Sequence, residues 1–149
     1  MDRKIMAYLE SWKENPHRKP LILQGARQVG KTWSILEFGR THYDNVAYFN
    51  FETNPKLNET FDENISPDYL IPILSHIAGQ TIVKGKTLIV FDEVQLCERA
   101  LTSLKYFCED APEYHIIVAG SLLGVAVNRA KFSFPVGKVD MKTLYPMDV

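Results

Sequence analysis

The stretch Gly25-Ala26-Arg27-Gln28-Val29-Gly30-Lys31-Thr32 follows the short apolar run "PLILQ" and precedes a segment with helical spacing. It matches G-x-x-x-x-G-K-[ST], the Walker A pattern, in the strand–loop–helix context that the pattern requires. The glycines free the backbone to wrap closely around phosphate. Successive N–H groups and the start of the following helix form an anion nest. Lys31 brings an ammonium to β/γ-phosphates, and the Thr32 hydroxyl is a hard oxygen ligand suited to Mg²⁺. All eight positions, Gly25 to Thr32, are therefore expected to hold nucleotide.

A phosphate loop needs a partner acid at the end of a second apolar strand, here one separated from the loop's own strand by another. "TLIVFDEVQ" supplies it, about sixty residues downstream. Asp92 is expected to hold Mg²⁺ directly or through water. Glu93, the next residue, is placed to accept a proton from an attacking water. A further apolar run, "YHIIVAGS", ends in Ser121, a polar residue that could contact γ-phosphate or the water. Catalytic roles are thus expected of Lys31, Glu93 and Ser121, and metal-holding roles of Thr32 and Asp92.

Weaker candidates surround this set. Gln95 could orient the water or simply open the next helix. Arg27 lies inside the loop, where it could be solvated or ion-paired. Arg40, Arg99 and Arg129 are candidate arginine fingers toward a neighbouring subunit, which would require a homo-oligomer. His17, His42, His76 and His115 show no metal-ligand spacing. The aromatic-rich "VAYFNFE" reads as core rather than as a base-stacking platform.

Strand and helix patterns alternate along the 149 residues, which argues for one α/β domain around a parallel sheet. Helices are expected over Arg3 to Glu14, Lys31 to about Thr41, "SPDYLIPILSHIAG" and "CERALTSLKYFCEDAP". "PKLNETFDEN" adds one or two helical turns, and "LLGVAVNRA" is a short helix. Ile5, Leu9, Trp12, Trp33, Ile35, Leu36 and Phe38 are core candidates. The strands are "LILQ" (21–24), "VAYFNF" (46–51), "TLIVFD" (87–92), "HIIVAG" (115–120) and an edge strand within Gly137 to Leu144. Their expected order is 5-1-4-3-2, with ligand at the C-terminal strand ends, where the order reverses.

Composition narrows the class. At 46% hydrophobic and 23% charged the chain can bury a core. A net charge of −1 does not call for nucleic acid or anionic lipid, and no basic-aromatic patch appears. No apolar run approaches the ~20 residues that a bilayer span needs. The charged, amphipathic N-terminus lacks a secretory core. Cys97 and Cys108 are read as reduced thiols on one helix. These features fit a cytoplasmic protein without a membrane partner.

"GARQVGKT", "FDEVQ", "AGSLLG", "SFPVGKV" and "LYPM" together resemble the prokaryotic AAA-type ATPases that carry an uncharacterised second domain at their C-terminus. The likeness covers nearly all of the chain. It implies a P-loop NTPase three-layer sandwich with a five-stranded core, ATP binding and hydrolysis. It also assigns the Walker A roles to Lys31 and Thr32, the Walker B roles to Asp92 and Glu93, and the sensor role to Ser121. Such relatives continue past the "LYP" element, whereas this chain stops at Val149, so residues 1–149 are expected to be an N-terminal ATPase domain. An effector, and any DNA partner, would then act through the second domain. Two other readings stay open: a nucleotide-gated binding module that seldom hydrolyses, and a P-loop kinase.

Overall fold

The computed structural model describes residues 3–25, 30–120 and 137–144. Five strands form one parallel sheet: β1 (Leu21–Gln24), β2 (Asn45–Asn50), β3 (Thr87–Asp92), β4 (His115–Gly120) and β5 (Asp140–Thr143). Their spatial order is β2-β3-β4-β1-β5, which is the expected order read from the other edge. Runs such as "LIVF" and "IIVA" become the central strands because both of their faces are covered. β3 and β4 are buried along their whole length, whereas edge strand β5 is half-exposed.

Successive side chains alternate between two apolar layers. On one side, Leu21, Leu23, Leu88, Val90, Ile117 and Ala119 meet Ile5, Leu9 and Trp12 of α1 (Arg3–Glu14) and Ile35 and Phe38 of α2 (Lys31–His42). On the other, Ile22, Ala47, Phe49, Ile89, Phe91 and Val118 meet three helices. These are α3 (Leu57–Glu63), α4 (Pro67–Ala78) and α5 (Glu98–Asp110). Phe49, Phe51, Phe61 and Phe91 pack ring against ring in that layer, mostly edge to face.

Several expectations need correction. Trp33 is 56% exposed and Leu36 only half-buried, so neither belongs to the core as expected. Ile35, Phe38 and Gly39 define the sheet-facing stripe of α2, and Trp33 lies about 200° around the helix from Ile35. Ser34 is buried instead. Cys97 does not lie within the helix that carries Cys108: its backbone is extended and it only caps α5. Both thiols are free, and burial pushes that of Cys97 up to about 11. Ser66 stands at the cap of α4 without a side-chain cap bond; its carbonyl takes the Leu70 N–H instead. The short helix expected over "LLGVAVNRA" lies outside the described residues.

α2 approaches the sheet closely through Gly39. A Cβ there would stand 2.5 Å from Val46 Cγ2 and 3.0 Å from Leu88 Cδ2. Gly39→Ala is expected to destabilise the fold by about 1–2 kcal/mol, overpacking outweighing the better helix propensity of alanine. Urea unfolding checks this, and a stabilised variant would contradict the packing assigned to α2.

A polar cluster sits beneath α1. Tyr43 Oη and His115 Nδ1 share a hydrogen bond of 2.6 Å, and Trp12 meets the imidazole edge-on. Burial pushes His115 down to about 4, with the Arg18 and Lys13 charges adding to the effect. Its ordinary value is about 6.5, so between the two the unfolded chain binds the extra proton. The group's contribution to stability is therefore full above pH 6.5 and is lost as pH falls toward 4. From pH 7 to pH 5 this amounts to about 2 kcal/mol. His115→Gln should flatten the pH dependence of urea unfolding by that amount, and an unchanged slope would rule the linkage out.

Candidate nucleotide site

All five strands run the same way, so Gln24, Asn50, Asp92, Gly120 and Thr143 end at one rim of the sheet. At this rim β1 leads into α2. Gly30 caps the helix with φ +71°, and a Cβ there would meet nothing within 4 Å among the described residues. The left-handed backbone is what calls for glycine here. Lys31, the first helical residue, is 3% exposed. No carboxylate among the described residues lies within ion-pair distance of its ammonium, and the first turn of α2 carries no acid. A buried cation at the positive end of a helix is a site short of negative charge.

One turn of backbone brings Thr32 over β3. Its Oγ1 donates to Asp92 Oδ2 at 3.0 Å, across sixty residues of sequence. Asp92 follows Leu88 and Val90 on the α2-facing side of β3, which is why this strand end meets that helix. The carboxylate has two further donors. The Glu93 N–H donates to Oδ1 at 2.9 Å, and Tyr48 Oη donates to Oδ2 at 2.5 Å.

Glu93 adopts φ +54°, ψ +42°, the left-handed region that L-residues other than glycine enter at a cost of about 1–2 kcal/mol. Among the described residues it is the one non-glycine residue with positive φ. The turn ends β3 abruptly, and Glu93 is largely buried at the strand end. A 3₁₀ turn, Val94–Leu96, follows, so Gln95 does not open α5. Gln95 Nε2 donates to Glu93 Oε2 at 3.0 Å, while Gln95 Oε1 is buried without a hydrogen-bond partner among the described residues.

Tyr48 corrects the reading of "VAYFNFE" as core. Phe49 and Phe51 are buried, but Tyr48 is 36% exposed and faces the rim. Burial, then the bond to Asp92, pushes its hydroxyl up to about 12, so it keeps its proton and acts as a donor. Asn50 Nδ2 donates to Tyr48 Oη at 3.1 Å. The available signal was period two: Tyr48 and Asn50 share a strand face, opposite to Ala47 and Phe49, and Asn50 pairs with Asp92 across the ladder.

The structure thus gathers Lys31, Thr32, Asp92, Glu93 and Gln95. Two of the candidate arginine fingers have partners within this chain away from these residues. Arg99 Nε donates to the Phe61 carbonyl at 3.2 Å and ties α5 to α3, and exposed Arg40 pairs with Glu37 on its own helix. Ala26, Arg27, Gln28, Val29, Ser121 and Arg129 lie outside the described residues. Among the described residues no group of three or more His, Cys, Asp or Glu could hold a metal by itself.

The parallel five-stranded sheet in this order, with a glycine turn entering α2 beside an acid-ended β3, has the architecture of a P-loop NTPase domain. The model of the AAA domain family matches residues 17–149, and the chain belongs to that family. Membership carries nucleotide binding and an ATPase-like function. No curated protein matches the chain. No described helix is long and apolar enough to cross a membrane.

Proposed function

We propose that this domain binds Mg²⁺–ATP at the α2–β3 rim and hydrolyses it. The observation that carries the reading is the Thr32–Asp92 hydrogen bond, which joins the glycine turn and the acid strand into one site. Gly25 to Thr32 wrap the phosphates with backbone N–H groups, and the Lys31 ammonium holds the β/γ-phosphates.

The donors fit Mg²⁺. A hydroxyl and a carboxylate, 3.0 Å apart, are hard oxygen ligands. Mg²⁺ completes its shell with water and substrate phosphate, so a site with only two protein oxygens suffices. The ion, when bound, neutralises phosphate charge as it develops. Thr32 and Asp92 are the residues that would hold it.

Glu93 accepts a proton from water as the water oxygen bonds to the γ-phosphorus. The bond from that phosphorus to the bridging oxygen of ADP breaks, leaving ADP and inorganic phosphate. Gln95 donates to Glu93 Oε2 and so helps to orient this carboxylate. Ser121 is proposed as the γ-phosphate sensor, on resemblance alone. Coupling to an effector in a C-terminal region belongs to the same proposal.

Phosphate release from ATP tests this reading. Release is expected with Mg²⁺ and not with EDTA. ATP held uncleaved for hours with Mg²⁺ would instead make the domain a nucleotide-gated module.

A further inference from the structure

Asp92 receives donors from three separate elements, and one of them has no part in the nucleotide site derived above. Thr32 Oγ1 reaches Oδ2 from α2, and the Glu93 N–H reaches Oδ1 from the turn after β3. Tyr48 Oη reaches Oδ2 from β2, the neighbouring strand. Behind Tyr48 stands Asn50, whose orientation is settled by its surroundings. Asn50 Oδ1 accepts the backbone N–H groups of Glu52 at 2.8 Å and Thr53 at 3.1 Å. Its amide nitrogen must then face Tyr48, where it donates at 3.1 Å. A directed chain runs from the turn after β2 through Asn50 and Tyr48 to the carboxylate.

We propose that Tyr48, oriented by Asn50, is a positioning residue that fixes the Asp92 carboxylate for the Mg²⁺ bound with nucleotide. The physical argument concerns rotation. Asp92 must present Oδ2 to the Thr32 hydroxyl so that a Thr32 lone pair is left for the metal. With Tyr48 on the same oxygen, the carboxylate plane is held from both sides before any ligand arrives. Without it, the carboxylate can turn about its side-chain torsions, and ordering it is charged against metal binding. Hydrogen-bond partners behind a metal ligand commonly contribute 10–100-fold in metal affinity. Tyr48 is exposed enough that losing one oxygen leaves the fold intact, and the apolar layer on the opposite sheet face is untouched.

The proposal rests on the nucleotide-site reading above, and the test separates the two. Affinity for a fluorescent ATP analogue is measured in EDTA and across a Mg²⁺ titration, for the wild type, Tyr48→Phe and Asn50→Ser. Asn50→Ser keeps a turn acceptor but cannot reach Tyr48. Tyr48→Phe should bind the analogue in EDTA as the wild type does and should keep a cooperative melt. Its half-saturating Mg²⁺ should rise by about 10-fold, the low end of the usual range. Asn50→Ser should shift in the same direction by less. A wild-type Mg²⁺ midpoint in Tyr48→Phe overturns the proposal while the nucleotide site stands. Equal weakening with and without Mg²⁺ also overturns it, since that is a general structural loss. A wild type whose nucleotide binding ignores Mg²⁺ overturns both.

Discussion

Lys31→Ala is expected to abolish ATP binding, with affinity falling at least about 100-fold. Charge-assisted hydrogen bonds are worth roughly 1.5–3 kcal/mol each, and a lysine bridging two phosphates makes at least two. The structure adds a second, opposite consequence. Lys31 is buried at the positive end of α2 with no carboxylate partner among the described residues. Removing it takes away an uncompensated charge, so the free variant should melt no lower than the wild type. Loss of binding together with retained or raised stability is the signature of a residue kept for its ligand. Titration calorimetry and a thermal melt read the two quantities. Unchanged affinity would remove Lys31 from the site.

Glu93→Gln should bind Mg²⁺–ATP as the wild type does and lose about 10²- to 10⁴-fold in turnover, the usual range for a general base. The substitution is nearly isosteric. It leaves the Asp92–Glu93 backbone contact in place, and the amide oxygen can still accept from Gln95. Glutamine bears the same left-handed backbone cost as glutamate, so the turn after β3 persists. What it loses is the ability to take a proton. Single-turnover phosphate release measures the effect, and a wild-type rate would mean that the proton leaves by another route.

The sheet was legible in the sequence because buried parallel strands leave a strong signal. "LIVF" and "IIVA" are short apolar runs bounded by turn residues, and helical spacing between them points to crossover connections. The two element ends that the Thr32–Asp92 bond joins were legible for the same reason: each carries a polar residue just beyond an apolar run. Trp33 and Tyr48 were misread because an aromatic side chain near an apolar run looks like core unless its face is known. The face depends on how α2 and β2 sit against their neighbours, which is tertiary information. The left-handed Glu93 left no trace either, since its cost is borne by packing around β3 rather than by local propensity. The bond from Tyr48 to Asp92 joins residues 44 apart. It follows from strand register, which no local pattern carries.

The central claim is one of place: ATP phosphates at the start of α2 and the metal between Thr32 and Asp92. A crystal structure with Mg²⁺ and a non-hydrolysable ATP analogue tests it most directly. The account predicts the β- and γ-phosphates against Lys31, with Mg²⁺ ligated by Thr32 Oγ1 and held by Asp92 directly or through a water. Nucleotide bound elsewhere, or phosphates at α2 with the metal away from Asp92, would contradict it.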